Sequence, residues 1–163
     1  MDLKELHTKT NQSRHPWEIA RYKVTKALLK KIIKILENKG FNKFVINVGG
    51  DLYASYDQKI YIQNPFNPSK FLEKIMVQKG AVATSSPILR SWQQGDKNYH
   101  HLVDPTTNST SLKWASCTFI CDDIIDADIW AKIVILSNAN VSIPLDNIKV
   151  YLIDYDLNLV ELV

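Results

Sequence analysis

Cysteine is scarce in this sequence, and the common nucleotide and hydrolase signatures are missing from it. Only Cys117 and Cys121 occur in 163 residues. In an extended strand from Trp114 to Cys121 both would face one side, roughly 13 Å apart at about 3.3 Å per residue. That span is too long for a mutual disulfide. Both are therefore read as buried thiols, which suits a reducing compartment. There is no P-loop, no G-x-G-x-x-G, no G-x-S-x-G and no Cys/His set at zinc spacing, which removes the functional readings that rest on those signatures. Low-complexity segments and fixed-period repeats are missing too. No apolar run is long enough to span a bilayer. Residues Met1 to His15 are polar and lack the apolar core of a signal peptide. A cytoplasmic location with no membrane partner is the resulting expectation.

Charge imbalance is also small, at +3. Much of the basic excess lies in Lys23, Lys26, Lys30, Lys31 and Lys34, interleaved with apolar positions, as on the solvated face of a helix. No aromatic-and-basic stripe accompanies it, so no nucleic-acid partner is expected. What remains is a chain with ordinary apolar (45%) and charged (23%) fractions, long enough for one domain with a real core. The expectation is a single domain over 1–163, with 1–16 as a loose leader ending at Pro16.

Periodicity then divides the chain. Trp17 to Lys39 places Ile19, Tyr22, Val24, Ala27, Leu28, Ile32, Ile35 and Leu36 near one helical stripe, and Gly40 fits the C′ stop. Phe44 to Val48 reads as a mostly buried strand. Gly49-Gly50-Asp51 turns the chain, Leu52 to Tyr56 continues it, and Lys59 to Gln63 alternates as a second strand. Asn64 to Pro68 reads as a loop fixed by two prolines. Phe71 to Val77 suits either a helix or a strand. Pro87 fits the first position of a short helix through Arg90 and Trp92. Gly95-Asp96 is a turn, and Tyr99 to Val103 is extended up to Asp104-Pro105. Ser116 to Cys121 is a strand, Asp126 or Asp128 opens a helix to about Leu136, and Val150 to Ile153 with Leu157 to Leu162 makes a closing hairpin. The fold class expected is α+β: a mostly antiparallel sheet with two long helices and one short helix.

Several residues could bear chemistry, each with a plainer alternative. Gly49-Gly50-Asp51 lets backbone approach a ligand closely, or is simply a hairpin turn. Thr84-Ser85-Ser86 offers hydroxyls and N–H groups suited to phosphate, or an ordinary helix N-cap. His100 and His101 face opposite sides of a strand; one could act as an acid, base or ligand, or one is buried and satisfied and the other exposed. Asp104-Pro105 is usually a turn. Asp126 and Asp128 could hold Mg²⁺ or cap a helix.

Their order is more specific than any one of them. Gly49-Gly50-Asp51, then Ala81-Val82-Ala83-Thr84-Ser85-Ser86, then His101-Leu102-Val103-Asp104-Pro105-Thr106-Thr107-Asn108, then Ala127-Asp128-Ile129-Trp130-Ala131-Lys132 resembles the ApbE family of FAD:protein FMN transferases. That family shows N-x-G-G-D, A-V-A-T-S-G, H-x-x-D-P-x-T-G and A-D-A-L-A-T in the same order. The resemblance runs from roughly Leu36 to the C-terminus. It implies FAD as substrate, Mg²⁺ as cofactor, cleavage of the FAD pyrophosphate, and transfer of FMN to a threonine of an acceptor flavoprotein with release of AMP. It also implies site roles. Gly49, Gly50 and Asp51 would line the flavin nucleotide site, and Thr84, Ser85 and Ser86 would sit beside the phosphates. His101 and Asp104 would be the catalytic residues shaping the same cleft, and Asp128 would bind metal.

The departures from the family pattern fall on the same site. Lys132 stands where the family has a metal-binding threonine, so its ammonium would pair with Asp128 or take the metal's place. Ser86 and Asn108 replace glycines, and Asn is among the residues that best tolerate a left-handed backbone. The family's A-K-G-Y segment has no match near Val24 to Ala27. The family is about twice as long, and its N-terminal half helps to enclose the flavin. These changes imply a catalytically impaired flavin- or nucleotide-binding member, or a partner subunit, as the alternative to an active transferase. A homodimer or a separate chain would supply the enclosing half.

Overall fold

The computed structural model describes residues 16–88, 91–104, 108, 110 and 113–162; the expected leader at residues 1–15 lies outside them. The chain forms two compact units, Met1–Phe41 and Asn42–Val163. In the first, helix α1 (Pro16–Asn38) matches the expected helical stretch. Gly40, at φ +81°, takes the left-handed conformation that ends it, with its N–H donating to the Glu37 carbonyl at 2.9 Å. Val24, Leu28, Ile32 and Ile35 on this helix are exposed.

The second unit is built on a six-stranded antiparallel sheet in the order β1-β2-β5-β8-β9-β10. Its strands are β1 (Val45–Val48), β2 (Asp51–Ala54), β5 (Gly80–Ser85), β8 (Trp114–Cys121), β9 (Lys149–Asp154) and β10 (Leu159–Leu162). Helix α2 (Ile124–Leu136) packs on β5 and β8. The hairpin of β3 (Gln58–Asn64) and β4 (Asn67–Val77) covers the other face, where Ile62, Ile75 and Val77 join Val82, Ile120, Tyr151 and Ile153 in one cluster. A second hairpin, β6 (Ser91–Gln94) with β7 (Lys97–His100), stands apart from the main sheet.

Strand β8 explains why the core sits here. All eight of its residues are buried. Alternation sends Ile120 into the hairpin-side cluster, while Phe119 stacks on Trp130 of α2 with centroids 6.4 Å apart. Ala127 and Ala131, fully buried on α2, keep that helix close to the sheet. Burying a side chain the size of Phe119 or Leu152 stabilises by about 1.5–3 kcal/mol, so these layers form the hydrophobic core of the unit. Cys117 and Cys121 are both buried free thiols, as expected.

The α+β class with a mostly antiparallel sheet holds, and several local expectations change. The loop expected over Asn64 to Pro68 shrinks to the two-residue turn Pro65–Phe66 between β3 and β4. β1 is largely exposed rather than buried, because it is an outermost strand of the sheet. Phe71 to Val77 is strand, since Ile75 and Val77 at period two enter the core while Met76 between them stays out. The short helix expected from Pro87 through Arg90 and Trp92 is not formed among the described residues. Residues 89 and 90 lie outside the described residues, and Ser91–Gln94 is β6, closed against β7 by Gly95 at φ +60°. Trp92 and Tyr99 are cross-strand partners that stack at 6.2 Å. Finally, α2 opens at Ile124, not at Asp126 or Asp128: Asp123 is its N-cap, accepting from the Ile125 N–H at 2.9 Å.

Candidate functional site

Gly49 and Gly50 form the two-residue turn between β1 and β2, flanked by the Val48–Asp51 pair. Their φ values of +69° and +112° are left-handed, as such a turn demands. Asn47 Oδ1 accepts from the Gly50 N–H at 3.0 Å and braces it. A Cβ on either glycine would meet nothing within 4 Å. The glycines thus answer a backbone need, and the space beside them is open.

Thr84 and Ser85 end β5 and Ser86 follows it, and among the described residues no helix starts there. The register of β5 on β8 sets Thr84 opposite Thr118, and their hydroxyls lie 2.8 Å apart. Ser86 is buried; its hydroxyl donates to the Ala115 carbonyl at 2.8 Å and accepts from the Ile88 N–H at 3.2 Å. Where the family motif has glycine, this serine therefore closes a local turn.

The two adjacent histidines part as alternation requires. His100 is buried, and its Nδ1 accepts from the Leu102 N–H at 3.2 Å, while its Nε2 has no partner among the described residues. His101 is exposed. The Asp104 carbonyl accepts from the Asn108 N–H at 2.8 Å, with Asn108 at φ +53°. Asparagine thus holds the left-handed backbone that glycine has in the family motif. Residues 105–107 lie outside the described residues.

Asp128 sits in the second turn of α2, past the cap, so capping does not explain it. Its carboxylate is ion-paired with the Lys132 ammonium one helical turn on, both side chains being half-exposed. An exposed i,i+4 pair of this kind contributes about 0.3–0.5 kcal/mol, too little to be its structural purpose.

These separated segments meet at one cleft of about 580 Å³ within the second unit. Gly49, Gly50, Asp51, Thr84, Ser85, Ser86, His101, Asp128 and Lys132 all line it; Asp104 does not. The size is that of a ligand pocket. Residues not singled out from the sequence complete the lining: Leu52, Ile60, Ile62 and Val82 form an apolar wall, and Ser116 and Thr118 present hydroxyls from β8. The hint in the sequence was a pair of hydroxyls at period two in an otherwise apolar strand. Only the β5–β8 register shows that they lie beside Thr84.

Comparisons with known proteins agree on one family. The sequence model of the ApbE family matches residues 27–146. The FAD:protein FMN transferase of Klebsiella pneumoniae is 29% identical over 101 residues, covering 61% of this chain and 32% of that protein. Among solved structures, the ApbE protein of Thermotoga maritima superposes with a TM-score of 0.69 at 19% identity, over 83% of this chain and 48% of that one. The flavin transferase ApbE of Vibrio cholerae gives 0.56 at 21% identity, over 82% and 46%. The chain therefore spans about a third of the curated relative it matches and just under half of these solved chains.

Proposed function

The chain belongs to the ApbE family, and from that premise we propose that its cleft binds FAD and serves the transfer of FMN to a threonine of an acceptor flavoprotein. The observation behind this reading is convergence: four motifs far apart in sequence line a single cleft. In the reaction, the threonine oxygen forms a bond to the FMN phosphorus, the pyrophosphate P–O bond breaks, and AMP leaves with the displaced oxygen. Such chemistry is mostly positioning and neutralisation of charge. Gly49 and Gly50 leave room for the nucleotide beside the turn, with Asp51 next to them. Thr84, Ser85 and Ser86 border the phosphates with hydroxyls and backbone. His101, on the cleft lining, is the group suited to move the threonine proton. Asp104 acts at one remove, through the turn it closes with Asn108.

Mg²⁺ is the cofactor that the resemblance brings, and the residues do not fit it. The Asp128 carboxylate is paired with Lys132, the residue standing at the position of a second ligand. Among the described residues no group of three or more His, Cys, Asp or Glu could hold a metal ion. No step is derived through the metal; the Lys132 ammonium supplies the positive charge beside the phosphates instead.

The same ion pair favours a second reading: a flavin-nucleotide-binding member, or a partner subunit, in which transfer is impaired. A second chain beside the cleft would favour the transferase reading. For that reading, the chain is another copy paired along an outer strand, β1 or β10, or a separate partner subunit. The cytoplasm is the compartment proposed, in keeping with two free buried thiols; among the described residues no helix is long and apolar enough to cross a membrane.

Incubation with FAD, with EDTA or Mg²⁺, and chromatography for AMP separates the readings. AMP formed in EDTA supports cleavage of the FAD pyrophosphate without metal, the first half of the transferase chemistry. Bound FAD with no AMP supports the flavin-binding form of the second reading. No binding of FAD overturns the transferase and flavin-binding readings and leaves only a partner-subunit role.

A further inference from the structure

Ser116 is 97% buried on β8, with a relative exposure of 3%, and its hydroxyl has no hydrogen-bond partner among the described residues. It also lines the cleft. Three neighbouring hydroxyls are engaged: Thr84 with Thr118, and Ser86 with the Ala115 carbonyl. Leaving a buried hydroxyl unpaired is destabilising, a cost that the folded chain bears for no structural return. The lining changes character along the strands. Ser116 and Thr118 are polar, whereas Val82, two residues before Thr84 on the paired strand, joins Leu52, Ile60 and Ile62 in an apolar wall.

We propose that the Ser116 hydroxyl is a binding contact for the polar edge of a flat heteroaromatic ring whose apolar part lies against Leu52, Ile60, Ile62 and Val82. A hydroxyl this deeply buried suits a neutral ring carbonyl or nitrogen. A phosphate keeps its charge near water or near a cation, and the cleft's Lys132 ammonium is half-exposed. The inference rests on the flavin reading above and adds to it a division of labour, in which Ser116 holds the ring and Lys132 the phosphate.

The test uses the full chain, with riboflavin and FMN as probes, and measures both affinity and the melting temperature without ligand. Ser116→Ala should weaken riboflavin and FMN by the same factor, roughly fivefold for one neutral hydrogen bond. It should leave the unliganded melting temperature unchanged or slightly raised, because it removes an unpaired buried hydroxyl. Ser116→Cys, nearly isosteric and a weak donor, should fall between. A lower unliganded melting temperature with unchanged affinities would mark the hydroxyl as structural and overturn the proposal. A loss confined to FMN would put the contact on the phosphate and overturn it as well. If the unaltered protein binds neither probe, the flavin reading itself fails; if it binds both and Ser116→Ala binds equally, only the Ser116 assignment fails.

Discussion

Lys132 is the residue on which the chemistry proposed for this cleft turns. From the sequence it could be foreseen as an intruder one helical turn from Asp128, and the structure pairs the two on the cleft lining. Replacing it by threonine removes the cation beside the proposed phosphate position. Lys132→Thr should weaken FMN about tenfold at low ionic strength, less at high salt as the charge is screened, and leave riboflavin unaffected; titration of both ligands checks this. The thiols give a second expectation. Burial pushes Cys117 up to about 12 and Cys121 up to about 11 from an ordinary 9.0. Both remain protonated and unreactive at neutral pH, so a thiol reagent should label neither until the protein unfolds. The sign of the pH dependence follows. Between about pH 9 and 12 the unfolded state holds fewer protons than the folded one, so stability is full below 9 and falls as pH rises. Denaturant midpoints that stayed flat from pH 8 to 11 would contradict this.

At the scale of elements, the turns decide more than the propensities. Gly80 opens β5 at φ +157°, and a Cβ there would lie 2.9 Å from the Cys121 carbonyl oxygen. Gly80→Ala should therefore cost about 1–3 kcal/mol in chemical denaturation. Gly49 contrasts with it: its φ of +69° suits asparagine, and a Cβ would meet open space. Gly49→Asn should keep the melting temperature within a degree or two, since Asn-Gly favours the same hairpin turn, while crowding the cleft and weakening FMN. Both long helices, the β1–β2 turn and the closing hairpin were legible because their periodicity and punctuation are local. The strand Phe71 to Val77 was left open because a period that suits two structures is decided by its partner β3. The helix foreseen after Pro87 gave way to β6 because the pairing of Trp92 with Tyr99 outweighs a good first-turn proline. The start of α2 was misplaced because Asp122-Asp123 reads as the end of a strand and is also the cap of a helix.

At the scale of the whole molecule, the central strands β5 and β8 join the two halves of the site. One face of their sheet packs on α2, which brings Asp128 and Lys132, and the other meets the β3–β4 hairpin, which adds Ile60 and Ile62 to Leu52 and Val82 of the sheet in the apolar wall. The motifs could be recognised in order along the chain, but Ser116 could not, because its place depends on non-local pairing and on what is left unbonded once the fold is complete. The central claim is that this cleft binds a flavin nucleotide with an ammonium in place of a divalent cation. Equilibrium titration of FAD by fluorescence, once in EDTA and once with excess Mg²⁺, tests it most directly. Saturable quenching with the same affinity in both is the predicted result; no quenching, or quenching only with Mg²⁺, would contradict it.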